Sequence, residues 1–225
     1  MGIGYYVTGT DTAVGKTLVS VALLQVLRAN GKTAVGMKPV ASGCVDTDSG
    51  LRNDDALALQ SASEPRPPYE QVNPFALPAA TAPQIAAARA GIRVSLPPIV
   101  SAYQVLAATA DAVVVEGVGG WLAPLADDLE QSQLAAALGL PVILVVGIKL
   151  GCLSHARLSE RAIVSDGLRL AGWIGNAVES GMEFSDEYET LLRRTLLAPC
   201  LGIIPHAPGA PAASLAGHLS RPDSG

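Results

Sequence analysis

A segment near the start of the chain, residues 9–17 with the sequence GTDTAVGKT, has the residue types that bind phosphate. It follows a short apolar run and precedes an apolar helical pattern, so a helix is expected to begin near Gly15. The unpaired N–H groups in the first turn of that helix would favour an anion. Lys16 can reach terminal phosphates, and the Thr17 hydroxyl can bind magnesium. The pattern therefore predicts a phosphate-binding P-loop; the alternative is an ordinary glycine-rich turn with a surface lysine.

The spacing of this loop departs from the commonest form in one place. The pattern G-x-x-x-x-G-K-T would put a glycine at Thr10, but the glycine stands one residue earlier, at Gly9. We therefore expect Thr10 to adopt a backbone conformation that does not require glycine.

A lysine and two acids outside the loop could complete the site. Lys38 and Glu116 each follow an apolar run that predicts a strand, and Asp55 stands in the first turn of a predicted helix. Phosphoryl transfer needs cations around the phosphates and hard oxygen ligands for magnesium. We expect Thr17, Asp55 and Glu116 to supply those oxygens, and Lys38 to stabilise negative charge. The alternatives are a surface lysine, a helix-terminal acid and a solvated loop carboxylate.

The elements that must position these residues alternate along the chain. Apolar runs predict strands at residues 3–7, 33–37, 112–115, 141–146, 170–174 and 200–204. Helices are predicted at residues 18–27, 54–59, 84–90, 100–108, 131–138, 154–165 and 186–196. This alternation predicts an α/β protein of the P-loop NTPase type, with a doubly wound, mainly parallel sheet and helices on both faces. Ligands bind such sheets at the carboxyl ends of the strands, where the loop, Lys38 and Glu116 all fall.

The chain is expected to form a single domain over residues 1–225. A polar loop, expected to be mobile, is predicted at residues 46–50, and the proline-rich residues 65–83 are expected to form a long surface excursion. The tail from about residue 207 is rich in Ala, Gly, Pro and Ser, and is expected to be partly flexible.

Composition excludes several classes of protein. Hydrophobic residues make up 49% of the chain but aromatic residues only 4%, so the core must be built from aliphatic side chains. The net charge of −5 and the lack of a Lys/Arg-rich run argue against nucleic acid or membrane as a partner. Cys44, Cys152 and Cys200 lie far apart and predict neither a disulfide framework nor a zinc site. No signal-peptide or membrane-spanning pattern is evident, so a cytoplasmic protein is expected.

Five blocks of sequence together resemble one known family. The blocks are GTDTAVGKT (9–17), MKPVASG (37–43), LRNDDALAL (51–59), VVVEGVGGWLAPL (113–125) and LPVILVVGIKLGCLSHA (140–156). Their order and spacing closely resemble the dethiobiotin synthetase family, whose loop also carries the early glycine. The resemblance extends to about Asn176 and is weak beyond Pro205.

The resemblance implies a ligase of biotin biosynthesis that uses ATP and Mg²⁺. Members of the family join CO2 to 7,8-diaminononanoate (7,8-diaminopelargonate). One amine forms a carbamate, ATP phosphorylates the carbamate to a carbamic–phosphoric mixed anhydride, and the second amine closes the ureido ring. The products are dethiobiotin, ADP and phosphate. The resemblance also implies a homodimer with active sites at the interface.

The resemblance further implies a role for each matching residue. The implied catalytic residues are Thr12, Lys16 and Lys38. The implied nucleotide contacts are Thr12, Ala13, Val14, Gly15, Lys16, Thr17, Asp55, Glu116, Gly119, Asn176 and Pro205, the last two beside the adenine. The implied substrate contacts are Ser42, Gly117, Gly151, Cys152 and Ser154, and the implied metal ligands are Thr17, Asp55 and Glu116. The segment at Gly151 and Cys152 is expected to reach the substrate bound by the neighbouring subunit.

Three positions depart from the family pattern. Ala13 stands where some members carry an acid, and Ser154 where others have asparagine. Asn176 is followed by Ala177, where an acid can occur, which leaves the choice of nucleotide open.

Two rival functions belong to relatives of this family. ParA/MinD-like ATPases act as switches that bind a partner, and their loop typically reads K-G-G-x-G-K-T, whereas this chain has GTDT at that place. The turnover of a switch would depend on DNA, membrane or a protein partner, and that of a synthetase on diamine plus bicarbonate. A cobyrinic acid diamide synthase would normally need a glutaminase domain, for which 225 residues leave no room.

Overall fold

The computed structural model describes residues 3–29 and 31–222, and residues 1–2, 30 and 223–225 lie outside the described part. The strands are, in chain order, β1 (Ile3–Gly9), β2 (Ala34–Met37), β3 (Val40–Ser42), β4 (Val45–Thr47), β5 (Gly50–Arg52), β6 (Phe75–Leu77), β7 (Ala112–Gly120), β8 (Pro124–Ala126), β9 (Leu129–Glu130), β10 (Val142–Ile148), β11 (Leu170–Ala177) and β12 (Cys200–Ile204). The α-helices are α1 (Lys16–Arg28), α2 (Asp54–Ala62), α3 (Tyr69–Val72), α4 (Pro83–Ala90), α5 (Leu96–Thr109), α6 (Gln131–Leu138), α7 (Cys152–Ser165) and α8 (Ser185–Thr195). A 3-10 helix follows at Ala212–His218.

Six of the strands form a central sheet in the order β12-β11-β10-β1-β7-β2. Every neighbouring pair in this sheet is parallel, which confirms the predicted doubly wound architecture. Because β1 lies between β7 and β10, the loop after β1 emerges at the middle of the carboxyl edge, where ligands bind in such sheets.

Helices cover both faces of the sheet because its strands are apolar on both sides. All seven residues of β10, VILVVGI, are buried, as expected for a parallel strand between two layers. Successive residues of a strand face opposite layers. Tyr5 lies in a buried cluster with Leu24 of α1 and Leu59 of α2, whereas Tyr6 lies in the opposite cluster with Leu106 of α5.

The tail packs against the first helix as far as it is described. The 3-10 helix contacts α1, and its Leu215 is buried in the same cluster as Leu24. The Tyr5 hydroxyl donates a hydrogen bond to the carbonyl of Pro222 at 3.0 Å. The 3-10 helix of the tail therefore lies against α1, and the predicted flexibility of the tail stays a prediction.

Short elements near the site were missed by the sequence prediction. The predicted loop at residues 46–50 belongs to an antiparallel hairpin, β4–β5, in which the Thr47 hydroxyl donates to the Gly50 carbonyl at 2.7 Å. The prediction was wrong because β4 is exposed throughout and therefore lacks an apolar alternation. Two further pairs, β3–β6 and β8–β9, lie in segments for which no strand was predicted. Among the described residues, no helix is both long and apolar enough to cross a bilayer.

Candidate functional site

The loop between β1 and α1 has a conformation that requires Gly15. This residue has a φ of 88°, in the left-handed region, and a Cβ there would lie 2.2 Å from Nδ2 of Asn176. Asn176 Nδ2 in turn donates to the carbonyl of Val14 at 2.9 Å, so the end of β11 supports the loop. The described non-glycine residues with positive φ are Ala13 and Phe184, so Thr10 adopts an ordinary conformation, as expected.

Lys16 is buried at the start of α1. Its Nζ donates to the carbonyl of Asp11 at 2.9 Å, so the side chain turns back over the loop. Burial has the largest effect on Lys16 and, with repulsion by Lys38, lowers its pKa to about 8. Attraction by Glu116, Asp55 and Asp11 acts in the opposite direction without balancing the two. The loop therefore holds a poorly solvated cation, which an incoming anion would stabilise.

Lys38 and Glu116 meet because they lie at the same level along two neighbouring parallel strands, β2 and β7. Met37, the last residue of β2, is paired with Val115 of β7. Lys38 follows Met37 in the chain, and Glu116 follows Val115. Lys38 Nζ lies 2.5 Å from Oε1 of Glu116, and it also donates to the Gly117 carbonyl at 3.1 Å. Glu116 is fully buried and the side chain of Lys38 is only 4% exposed, so the pair is shielded from water.

Thr17 of α1 and Asp55 of α2 also contact the pair of Lys38 and Glu116, so the four side chains form one network. Asp55 Oδ2 lies 3.2 Å from Lys38 Nζ, and the Thr17 hydroxyl donates to Glu116 Oε1 at 2.9 Å. Burial opposes the charge of Lys38, but Glu116 and Asp55 outweigh it and raise the pKa of Lys38. Burial likewise opposes the charge of Asp55, but Lys38 and a Thr17 hydrogen bond lower the pKa of Asp55. Lys38 and Asp55 are therefore charged at neutral pH.

The loop and the network open on one cavity of about 450 Å³. Its lining residues are Thr12, Ala13, Gly15, Lys16, Thr17, Lys38, Ala41, Ser42, Asn53, Asp55, Glu116, Val118 and Gly119. A nucleotide phosphate chain at the loop and an acceptor beside Lys38 would therefore share one space. Most of the predicted site residues are brought together here.

Asn53, Ala41 and Val118 line this cavity but were not predicted. Asn53 is the N-cap of α2, where its Oδ1 accepts from the N–H of Asp55 at 3.1 Å. Its Nδ2 donates to the Ser42 carbonyl at 3.3 Å, so it links a predicted substrate residue to a predicted metal ligand. An asparagine directly before two helix-initiating acids is a typical N-cap, and this signal could have identified it.

Comparisons with known proteins identify the family. A sequence profile of the AAA domain matches residues 4–213. The ATP-dependent dethiobiotin synthetase BioD of Xanthomonas campestris pv. campestris is 56% identical over 218 residues, which cover 97% of this chain and 97% of that protein. The protein of the same name from Xanthomonas oryzae pv. oryzae is 57% identical, again over 97% of both chains. The chain belongs to the dethiobiotin synthetase family.

Solved structures relate the dethiobiotin synthetase fold to a wider group. The septum site-determining protein MinD from Pyrococcus horikoshii, complexed with Mg-ADP, superposes with a TM-score of 0.56 over 97% of this chain and 87% of that one. Its sequence is only 15% identical, so the similarity shows the fold alone. The switch function of a MinD-like ATPase therefore gains no support beyond a shared architecture.

The oxygen atoms in the cavity suit the Mg²⁺ that dethiobiotin synthetases are expected to need. Glu116 Oε2 is fully buried and has no hydrogen-bond partner, which is costly unless the atom binds a ligand. The Thr17 hydroxyl and the half-exposed Asp55 carboxylate add two more oxygens. The described residues contain no group of three or more His, Cys, Asp or Glu that could hold a metal. Two carboxylates and a hydroxyl nevertheless suit Mg²⁺, which usually keeps waters and substrate phosphates as its other ligands.

Asp55→Asn and Glu116→Gln should each raise the Mg²⁺ concentration needed for half-maximal turnover. Each change removes an anionic oxygen from the predicted metal site. The shift should exceed the roughly 10-fold loss that removing even an outer-shell partner of a metal can cause. A Mg²⁺ titration of turnover measures it, with Asp54→Asn as the matched control, since Asp54 is exposed in the same helical turn. Unchanged titrations in both variants would remove these acids from the metal site.

Four predicted residues lie outside this cavity. Gly151 is the left-handed N-cap of α7 with a φ of 91°, and Cys152 is 1% exposed beneath it. Ser154 faces a separate surface cleft on α7, and Pro205 is exposed after β12. Their predicted roles toward a neighbouring subunit and adenine stay predictions.

Three more predicted residues form or contact the backbone of the site. Val14 is fully buried, and its carbonyl accepts a hydrogen bond from the side chain of Asn176. Gly117 presents its carbonyl to Lys38. All three therefore form or contact the backbone of the loops that border the cavity.

Gly15→Ala should lower both the stability of the protein and its affinity for nucleotide. Left-handed backbone alone costs a non-glycine residue about 1–2 kcal/mol, and the new Cβ would also collide with Asn176. Gly91→Ala is the matched control, because Gly91 has a φ of 65° and nothing within 4 Å of its Cβ position. Urea denaturation and ATP calorimetry measure the two effects. Equal free energies of unfolding in the two variants would show that the contact with Asn176 is unimportant.

Proposed function

We propose that this protein forms dethiobiotin from 7,8-diaminononanoate and CO2 at the expense of ATP. The observation that carries the proposal is the position of Lys38, which lies outside the P-loop but faces the same cavity as Lys16. Simple ATP hydrolysis has no need of a second buried lysine on the acceptor side. The identity of 56–57% with named dethiobiotin synthetases supports the same reaction.

The reaction divides between two groups of residues. A substrate amine adds to CO2 and loses a proton, giving a carbamate. Lys38 is placed to stabilise the carbamate oxygen that attacks the γ-phosphorus as the bond to ADP breaks, and Lys16 to stabilise the phosphates. The second amine then attacks the carbamoyl carbon, loses its proton and expels phosphate, which closes the ring. Mg²⁺, held by Thr17, Asp55 and Glu116, would neutralise phosphate charge when bound.

We further propose a homodimer in which α7 of each subunit completes the site of the other. Leu150, just before α7, is 84% exposed, and Leu158, on α7, is 61% exposed. A second copy of the chain would bury both side chains. Gly151, Cys152 and Ser154 lie on the same segment and would then contact the partner's substrate. Asn176 and Pro205 are proposed to border the adenine. We propose a cytoplasmic location because ATP and bicarbonate are both available there.

The test is a product assay with each nucleoside triphosphate in turn. The protein is incubated with the diamine, ¹³C-bicarbonate, Mg²⁺ and nucleotide, and dethiobiotin is sought by mass spectrometry. We expect product that carries one ¹³C atom, with phosphate release in equal amount and dependent on the diamine. Phosphate release that ignores the diamine and yields no product would overturn the proposal in favour of a switch ATPase. The preferred triphosphate identifies the nucleotide.

A further inference from the structure

A glutamine that no sequence motif singles out lies directly behind the site. Gln131, the first residue of α6, is fully buried. Its Nε2 donates to the Thr8 hydroxyl at 3.0 Å and to the Gly120 carbonyl at 2.7 Å, and its Oε1 accepts from the N–H of Val118. A buried amide is costly unless it is hydrogen-bonded, and here one side chain binds two strands at three points.

The three partners of Gln131 surround an irregularity in the central sheet. β1 and β7 pair in register up to Val7 and Glu116, and pairing resumes only at Gly9 and Gly120. One residue of β1, Thr8, therefore stands opposite three residues of β7, which is a β-bulge. Bulges are common beside active sites, where they redirect a side chain or a backbone group. Gln131 bridges this bulge from one strand to the other.

The bulge presents the groups that hold Lys38. It begins directly after Glu116, and the carbonyl of its first residue, Gly117, accepts from Lys38 Nζ at 3.1 Å. A Cβ on Gly117 would lie 2.2 Å from Gln131 Oε1, so the amide is packed tightly against the bulge backbone. The bulge contains Gly117 and Gly119, whose backbones are otherwise freer than those of other residues. Val118 and Gly119 also line the cavity.

We propose that Gln131 is a positioning residue for the ligase reaction. It fixes the bulge, and through the Gly117 carbonyl and Glu116 it sets the position of Lys38. Gln131 is not among the residues that line the cavity, so it acts through other residues. This inference rests on the proposed function, because its effect on turnover is an effect on dethiobiotin formation.

The test compares two glutamines of the same helix. Gln131→Met removes all three hydrogen bonds at similar side-chain volume. The control is Gln133→Met, because Gln133 makes its bond on the surface, where its Oε1 caps the N–H of Glu130 at 2.7 Å. We expect Gln131→Met to lower kcat at least about 10-fold while ATP affinity by calorimetry changes less than about 2-fold, the pattern of a lost transition-state interaction. Gln133→Met should leave both within about 2-fold.

Further variants and readouts decide the remaining outcomes. If Gln131→Met fails to fold, Thr8→Val removes one of the three bonds and should lower kcat in the same direction by a smaller factor. Unchanged kcat in a folded Gln131→Met protein, or equal losses of kcat and of ATP affinity, would overturn the proposal.

A spectroscopic readout separates this inference from the proposed function. The chain has four lysines, so the ¹⁵N signals of the lysine side chains can be assigned by single substitutions. The Lys38 Nζ signal should shift in Gln131→Met and not in Gln133→Met. This result is independent of product formation, so failure of the ligase assay with wild-type protein would refute the function and not the positioning. A Lys38 signal that is unchanged in Gln131→Met would refute the positioning.

Discussion

Lys38→Met should lower the rate of dethiobiotin formation by about 10³-fold while ATP still binds with nearly unchanged affinity. Removing one preorganised group that stabilises transition-state charge typically costs about 10²–10³ in kcat. Lys38 lies at the end of β2, outside the P-loop, so the loop contacts to the nucleotide remain. Loss of turnover without loss of binding is the pattern of an interaction made mainly in the transition state.

The same variant should be unstable without metal and recover when Mg²⁺ is added. Glu116 is fully buried, and Lys38 is its cationic partner. Removing one partner of a buried ion pair typically costs about 3–5 kcal/mol, because the other charge is left uncompensated. A cation at Glu116 and Asp55 would restore the balance. Urea denaturation with and without Mg²⁺ measures this, and Mg²⁺ should stabilise the variant more than the wild type.

Lys32→Met is the control for Lys38, since Lys32 lies just before the opposite end of the same strand and does not line the cavity. It should leave turnover and the Mg²⁺ effect unchanged. Equal losses of ATP affinity and turnover in Lys38→Met would show that the lysine is structural. If both are retained, the charge stabiliser of the reaction must lie elsewhere.

Lys16→Gln should also lower turnover by about 10²–10³-fold. Unlike Lys38→Met, it should not lower the stability of the nucleotide-free protein. Lys16 follows the loop glycine at the start of α1, where its charge would stabilise the phosphates. Because burial lowers the pKa of Lys16 to about 8, its charge is held at a cost in the folded protein. The uncharged glutamine removes that cost, so the Tm of the nucleotide-free variant should equal or exceed that of the wild type.

Differential scanning calorimetry and the product assay, run on the same preparation, test this pair of effects. The stabilisation that ATP gives to the wild type should shrink in Lys16→Gln, because a ligand stabilises only in proportion to its binding. Near-normal turnover would contradict the P-loop assignment. A large fall in Tm without ligand would mean that Lys16 is needed for folding, so its loss of turnover would say little about catalysis.

The sequence predicted the parts of the site that depend on local patterns. Strand, glycine loop and helix bring residues 9–17 together within one short segment, and parallel strands bring Lys38 and Glu116 to one edge. The contact between Lys38 and Glu116 was beyond this reasoning, because it depends on β2 being the neighbour of β7 with Met37 opposite Val115. Strand order is a property of the whole sheet and leaves no mark on either strand alone.

The bulge shows the same limit at the end of β7. The strand was predicted to end at Val115, where the apolar run ends, but it continues to Gly120. Its last residues pair because β1 offers Gly9 as a partner, and because Gln131 holds the intervening residues. Gln131 looks like an ordinary polar helix residue, and only the packing of α6 against two strands buries it.

The order of strands also bears on how the chain is made by the ribosome. β1, the strand that carries the phosphate-binding loop, pairs with β7 and β10, which begin at Ala112 and Val142. β2 pairs with β7 and not with β1. A nascent chain that ends before Ala112 therefore holds β1 and β2 without the strands that neighbour them in the central sheet. Helices α1 and α2 can already pack on these strands, but about half of the chain must be made before a strand pair of the central sheet can form.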